Sequence, residues 1–275
     1  MEENHFEYAS SQHIEGVKAF AATMNSFSYD KHAHEEYSIG VTRKGRQDFF
    51  SGGAFHKSYA GNIIYFNPEQ VHDGAAGADS TLEYDMLYIP THKLQPLMQT
   101  LGFKNGFNLR LNQTLFDDPL LRQQILLMCQ HVKTSNSPHV EQESALISIA
   151  QSIVRLSGQR LDSGNPGRRK DTLLLRSQEF IISHLDQAIS CDEMSQAANM
   201  SKYHYIRLFS QQFGMTPHQY LLNCRINRAR EQLEKGLPVS EVAHQVGFAD
   251  ASHLNRKFKP VFGITPKQYQ QQFMR

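Results

Sequence analysis

A chain of 275 residues with a formal net charge of +1 is long enough for one or two domains, and its near-neutral balance excludes a uniformly basic or acidic polymer-binding protein. Three cysteines, Cys129, Cys191 and Cys224, form no CxxC pair and no even set, which argues against a disulfide framework and a cysteine-based zinc site. The first 30 residues carry Glu2, Glu3, Glu7 and Glu15 in place of a basic start with an apolar centre, and no apolar run reaches 18 residues, so a cytoplasmic protein without a membrane segment is expected.

The front of the chain reads as short β-leaning runs at Glu36–Thr42, Gln47–Phe50, Ala54–Tyr59, Asn62–Phe66 and Leu82–Ile89. Turn signals at Gly45, Gly52-Gly53, Gly61 and Gly74-Ala75-Ala76-Gly77 separate them. Many short strands at close spacing predict a small antiparallel barrel or jelly roll, whose inward residues can hold a small ligand. His32, His34, Tyr37, His72 and Tyr84 are the candidates for that pocket wall. If the His-x-His pair and His72 converged with Glu36, the set would suit a metal ion. Glu35 and Glu36 follow His34 directly, closer than the spacing usual in metal-binding enzymes of the cupin superfamily, so neither metal nor cofactor is assigned.

Helical signals return at Asp117-Asp118-Pro119, which can cap and open a helix to about Lys133. Ser137-Pro138 opens another to Leu156, with Ala145, Ile149, Ile153 and Leu156 in a stripe. Residues 158–170, rich in glycine, proline and polar side chains, read as a linker between a first domain at 1–157 and a second at 171–275. The charge divides at the same place. From Arg168 onward there are 15 Lys and Arg against 9 Asp and Glu, giving +6, whereas residues 1–167 hold 13 against 18, giving −5. A basic second half is the footprint that phosphates require.

The second half repeats itself. At an offset of 49, His204, Arg207, Phe209, Phe213, Gly214, Thr216, Pro217, Gln219 and Tyr220 recur as His253, Arg256, Phe258, Phe262, Gly263, Thr265, Pro266, Gln268 and Tyr269. Nine identities in 17 positions is far beyond composition. Ser201 and Asp250 are N-caps, Gly214 and Gly263 can end a helix in the left-handed conformation, and Thr-Pro in each copy starts the next. Ser190-Cys191-Asp192-Glu193 has the form of a capping box, and Ser240-Glu241-Val242-Ala243 starts the matching helix of the second copy. Each copy is a helix-turn-helix. On a helical wheel Tyr205 and Phe209 oppose Tyr203, Arg207 and Ser210, while Leu254, Phe258 and Val261 oppose Ser252, Arg256 and Lys259, so one face packs and the other is free to read bases. A bare helical repeat would need a third copy to bury its faces. Between the copies, Pro217 to about Lys235 predicts a helix of roughly 28 Å, comparable with the roughly 34 Å between successive major-groove faces.

Arg225-x-x-x-Ala229-x-x-x-Leu233, Val242-Ala243-His244-Gln245-Val246-Gly247-Phe248, and Leu254-x-Arg256-x-Phe258-Lys259 followed by Gly263-x-Thr265-Pro266-x-x-Tyr269 strongly resemble the AraC-type family of bacterial transcription regulators. His32-Ala33-His34-Glu35-Glu36-Tyr37, Gly61–Pro68 and Val71-His72-Asp73-Gly74 are similar to the cupin-like ligand-binding domain of that family. The resemblance implies an α+β multidomain chain: a cupin-like antiparallel β-barrel with a helical pair, then an all-α domain of two helix-turn-helix units joined by a long helix. It implies that Tyr203, Ile206 and Arg207, and then Ser252, His253, Asn255 and Arg256, face the groove. It further implies a non-enzymatic regulator, read as an activator, with promoter DNA, a small-molecule effector and RNA polymerase as partners. Family helices at 117–157 hold two subunits together, so a homodimer is expected through Leu121, Ile125 and Ile149. Arg225, Arg228, Lys257 and Lys259 are assigned to phosphates, and Arg207 and Arg256 to base edges. A metal-dependent cupin enzyme with a DNA-binding tail is one alternative reading. A methyl-accepting DNA-repair protein is another, poorly matched by a front half whose one cysteine is Cys129.

Overall fold

The computed structural model describes residues 4–77, 81–101, 110–134, 137–160 and 171–274, without side-chain detail at 158–160. It falls into two compact units, Met1–Gly164 and Asn165–Arg275.

The first unit opens with β1 (His5–Ser10), β2 (Lys18–Met24), β3 (Ser28–His32), β4 (Tyr37–Lys44), β5 (Arg46–Ser51), β6 (Ala54–Tyr59), β7 (Ile63–Phe66), β8 (His72–Ala76) and β9 (Leu82–Ile89). After α1 (Thr91–Thr100) come β10 (Leu115–Phe116), α2 (Pro119–Lys133) and α3 (His139–Arg160). The strands form a six-stranded sheet, ordered β1-β2-β9-β4-β7-β10, and a four-stranded sheet, ordered β3-β8-β5-β6. All described pairings are antiparallel. Among the described residues the two sheets make a sandwich of the jelly-roll kind, the second of the two forms the sequence predicts.

Alternation along each strand separates two interiors. On the six-stranded sheet Tyr37, Ile39, Val41, Ile63, Tyr65, Leu87 and Ile89 point toward the helices, joining Leu94, Leu121, Ile125, Met128, Ile149 and Ile153 in one core. The alternate residues face the other sheet: Tyr84 Oη donates to Tyr29 Oη at 2.8 Å, and the Phe66 ring stacks on His72 at 3.7 Å. The turns at Gly45, Gly52-Gly53 and Gly61 fall between strands as expected, each with positive φ. The turn expected at Gly74–Gly77 does not. Gly74 to Ala76 lie in β8, because a residue without a side chain passes where Tyr29, Gln47 and Phe49 crowd in. β1, β2, β3 and α1 went unanticipated. Helix α2 starts on its expected cap, with Asp118 accepting from the Leu121 amide at 2.8 Å. α3 runs to Arg160, three residues into the expected linker. The rest of that linker lies outside the described residues.

The second unit contains α4 (Thr172–Ser183), α5 (Cys191–Ala197), α6 (Lys202–Phe213), α7 (Pro217–Glu234), α8 (Val239–Gln245), α9 (Ala251–Phe262) and α10 (Pro266–Phe273). Gly214 and Gly263 end α6 and α9 at φ 75° and 79°, a conformation that costs a side-chain-bearing residue energy. Thr216 with Gln219 and Thr265 with Gln268 form full capping boxes at α7 and α10, as do Ser190 and Glu193 at α5. Asp250 caps α9, accepting from the His253 amide at 2.6 Å. Ser201 heads α6 without a side-chain cap, and Pro238 rather than Ser240 precedes α8.

Candidate functional site

The sequence repeat is reproduced in the packing. Phe209 meets Tyr220 edge-on at 5.5 Å and 74°, and Phe258 meets Tyr269 at 5.4 Å and 74°. Phe209 stands 4.3 Å from Phe213, and Phe258 stands 4.4 Å from Phe262. Each aromatic trio ties the longer helix of its unit to the helix that follows, as edge-to-face pairs favour. Tyr205, whose Oη lies 2.7 Å from Ser177 Oγ, joins α6 to α4. Tyr269 donates to Glu234 at 2.7 Å and Gln270 to the Leu237 carbonyl at 2.6 Å, locking α10 against the end of α7.

With those faces committed, the opposite ones are free. On α6 Tyr203 is 87% exposed and Arg207 is exposed, while Ser210 is half-buried. Ile206 packs partly against the core of the first helix-turn-helix. On α9 Ser252, Arg256, Lys257 and Lys259 stand toward solvent. His253 and Asn255 are partly covered; the His253 ring abuts Phe248 at 5.1 Å, and the Asn255 Oδ1 is buried without a hydrogen-bond partner. Arg228 on α7 is exposed and bonds Glu231 at 3.0 Å.

Arg225 must be corrected. Its Nε donates to the Leu185 carbonyl at 2.7 Å and its guanidinium to the Gln187 carbonyl at 2.6 Å, and it is only 8% exposed. Two of its five N–H donors are committed to the loop after α4 and the group is buried, so it is placed to hold that loop rather than to face a phosphate. Burial lowers its proton affinity from the usual arginine range.

In the first unit the space between the sheets gathers His32, His34 and His72, all buried. His32 and His72 are direct cross-strand partners. Their rings lie 4.4 Å apart, and His34 stands 4.8 Å from His32 and 5.3 Å from His72. Asp30 and Gln70 offer backbone carbonyls to His32 Nδ1 at 2.7 Å and His72 Nδ1 at 2.8 Å. Burial pushes both imidazoles below the usual histidine pKa, His72 furthest, with His32 adding to its shift. Tyr84 belongs to the same interior, and burial raises its phenol and that of Tyr29 well above normal.

Tyr37 does not belong there. It projects from the other face of β4 into the helical core, where Gln95 donates to its Oη at 3.3 Å. Odd and even positions of a strand face opposite ways, and Tyr37 shares parity with Ile39 and Val41. Glu36 lies 3.9 Å from the buried Lys18 ammonium and is not part of the histidine group. Sequence reasoning missed Lys18, Tyr29 and Tyr88; the Tyr88 ring sits 5.0 Å from His34. The available signal was Lys18, the one charge in the apolar run Lys18–Met24.

The expected dimer contacts are also corrected. Leu121, Ile125 and Ile149 are fully buried in their own unit's core. The exposed apolar residues of these helices are Leu120 and Leu127 on α2 and Val140 and Ile147 on α3, each pair seven residues apart on one helical face. Among the described residues no helix is long and apolar enough to cross a membrane.

A two-sheet sandwich followed by a duplicated helix-turn-helix defines a ligand-responsive DNA-binding regulator. Residues 16–173 match the AraC-like ligand binding domain family and residues 194–272 match a helix-turn-helix domain family. The chain belongs to the AraC-type family of transcription regulators. It is 26% identical over 245 residues to the uncharacterized HTH-type transcriptional regulator YbfI of Bacillus subtilis, covering 88% of this chain and 86% of that one. It is 22% identical over 247 residues to the HTH-type transcriptional activator RhaR of Escherichia coli, with the same coverage. Its fold is that of ToxT from Vibrio cholerae, at a TM-score of 0.61 and 10% identity over 98% of this chain and 97% of that one.

Proposed function

We propose that this chain activates transcription by binding promoter DNA through α6 and α9, under control of a small molecule held between the two sheets of the first unit. The observation that carries the reading is the paired arrangement of α6 and α9: the same aromatic packing buries one face of each, and the other offers an exposed arginine at the same repeat position, Arg207 and Arg256. Arginine is the side chain best suited to guanine in the major groove. Tyr203, Ile206 and Ser210 on α6, and Ser252, His253 and Asn255 on α9, complete the reading surfaces. Arg228, Lys257 and Lys259 supply phosphate contacts, which fix register without reading sequence. α7, at 18 residues about 27 Å long, suits two adjacent grooves on one side of the duplex.

Activation follows the example of RhaR, which is named an activator. It requires contact with RNA polymerase at the promoter. The effector occupies the interior around His32, His34, His72, Tyr84 and Tyr88, and one neighbour of the same fold, ToxT, has been solved with an unsaturated fatty acid bound. Residues 1–157 sense and dimerise, 158–170 link, and 171–275 bind DNA. Two copies pair through the outward faces of α2 and α3, and the protein acts in the cytoplasm without a catalytic reaction. Binding of effector stabilises one conformation and so shifts operator occupancy. Footprinting the full chain on the DNA upstream of its own gene tests this reading: two protected stretches about one helical turn apart support it, and uniform coating of the fragment contradicts it.

A further inference from the structure

Among the described residues one cluster could hold a metal ion: His32, His34 and His72, all buried, with their ligating nitrogens within 4.8 Å of one another. Cross-strand pairing of β3 with β8 places His32 opposite His72, and His34 follows two residues on, just past the end of β3, with its ring 4.8 Å from that of His32. The backbone carbonyls of Asp30 and Gln70 can only accept, so His32 and His72 carry their protons on Nδ1 and keep the Nε2 lone pairs for a ligand. That is the outer-shell arrangement that orients metal-bound imidazoles. Phe66 stacked on His72 and Tyr88 against His34 flank the rings from outside.

We infer that His32, His34 and His72 bind one divalent transition-metal ion, of the zinc, cobalt or nickel class, inside the sandwich. Tetrahedral binding at roughly 2.0–2.1 Å needs nitrogens about 3.4 Å apart, so the rings must close by a little over 1 Å from their widest 4.8 Å. Side-chain rotation supplies that. Glu36 stays with Lys18, leaving three neutral ligands and an open position. Three imidazoles select the middle of the first-row series over magnesium or calcium. This deepens the reading of the interior as the sensing site, but it is measured without DNA and so stands or falls separately from it.

The test is a titration of the chelator-stripped full chain with cobalt chloride, followed by the visible absorption of bound Co²⁺. One equivalent per chain is expected, displaced by Zn²⁺. His32→Ala and His72→Ala should each weaken binding by more than about 100-fold, beyond the 10–100-fold typical of losing an outer-shell partner. His13→Ala, which alters the surface pair His13 and His139 with rings 5.3 Å apart, should bind as the parent does. X-ray absorption of the Co²⁺-loaded parent needs no variant and should show three imidazole ligands. The inference is overturned if the triple His32/His34/His72→Ala chain binds Co²⁺ as the parent does, if His13→Ala abolishes binding, or if the absorption shows fewer than three imidazoles.

Discussion

Arg225 reaches from the middle of α7 to the carbonyl of Leu185, its Nε 2.7 Å from that oxygen. Gly247, at φ 82° in the turn between α8 and α9, lies against both groups, and a side chain there would collide with them. One guanidinium therefore braces the connecting helix α7 against the loop that precedes the first helix-turn-helix, and the turn of the second packs over that contact.

Removing that brace should cost stability rather than charge at the DNA. Arg225→Ala removes two part-buried hydrogen bonds from a charged group to backbone carbonyls, a loss of about 1.5–3 kcal/mol. Urea unfolding should show the loss. The salt slope of DNA binding, which counts phosphate contacts, should keep the parent value.

Arg256 and Lys259 should separate. Arg256→Ala should relax preference at one base position by about 1–3 kcal/mol, whereas Lys259→Ala should weaken all sequences alike and reduce the salt slope by about 1. Competition binding against a panel of single-base operator variants distinguishes the two. Equal losses on cognate and scrambled DNA for Arg256→Ala would remove it from the reading surface.

Acid should loosen the sandwich. His32 and His72 have depressed pKa values in the folded protein, so below about pH 6.5 the unfolded chain takes up protons that the folded one refuses. Their neutral forms favour the fold fully above that pH, and the advantage is lost as pH falls toward their folded values. The slope is at most about 1.4 kcal/mol per pH unit for each group. Calorimetric unfolding across about pH 5 to 8 should show it, and the His32→Gln/His72→Gln chain should show a flatter profile.

The proposed pairing of two copies should depend on exposed apolar residues and not on the core. Leu127→Asp places a charge on a residue 45% exposed, so it should convert a dimer to a monomer in sedimentation equilibrium with little change in melting temperature. A dimer that survives both Leu127→Asp and Ile147→Asp would place the interface elsewhere.

The sequence was most legible where local chemistry decides. Capping boxes, left-handed glycines and the duplicated aromatics specify α5 to α10 almost residue by residue, and the structure repeats them in matching geometry. It was least legible where side-chain direction depends on partners far along the chain. Tyr37 and His34 are three residues apart, yet the bend at Glu35 and Glu36 separates them: parity along β4 turns Tyr37 into the helical core, while His34, just beyond β3, packs beside His32. Arg225 carries the charge a phosphate contact needs, and only the return of the loop at Leu185 and Gln187 shows that its Nε and one Nη2 donor are committed inside the unit. Leu121 and Ile125 on α2 and Ile149 on α3 are apolar positions whose role inside their own unit appears only when α2 is seen against β4 and β9 and α3 against α2. β2 was missed because most of it is buried, which removes the alternation that marks a half-exposed strand.

The central claim is that α6 and α9 together read duplex sequence, and fluorescence anisotropy of the full chain on a labelled fragment of its own upstream DNA tests it most directly. The account predicts binding that weakens steeply with salt, exceeds that to a scrambled fragment, and loses this preference in the Arg207→Ala/Arg256→Ala chain. Equal affinity for both fragments at every salt concentration, or a preference untouched by removing both arginines, would contradict it.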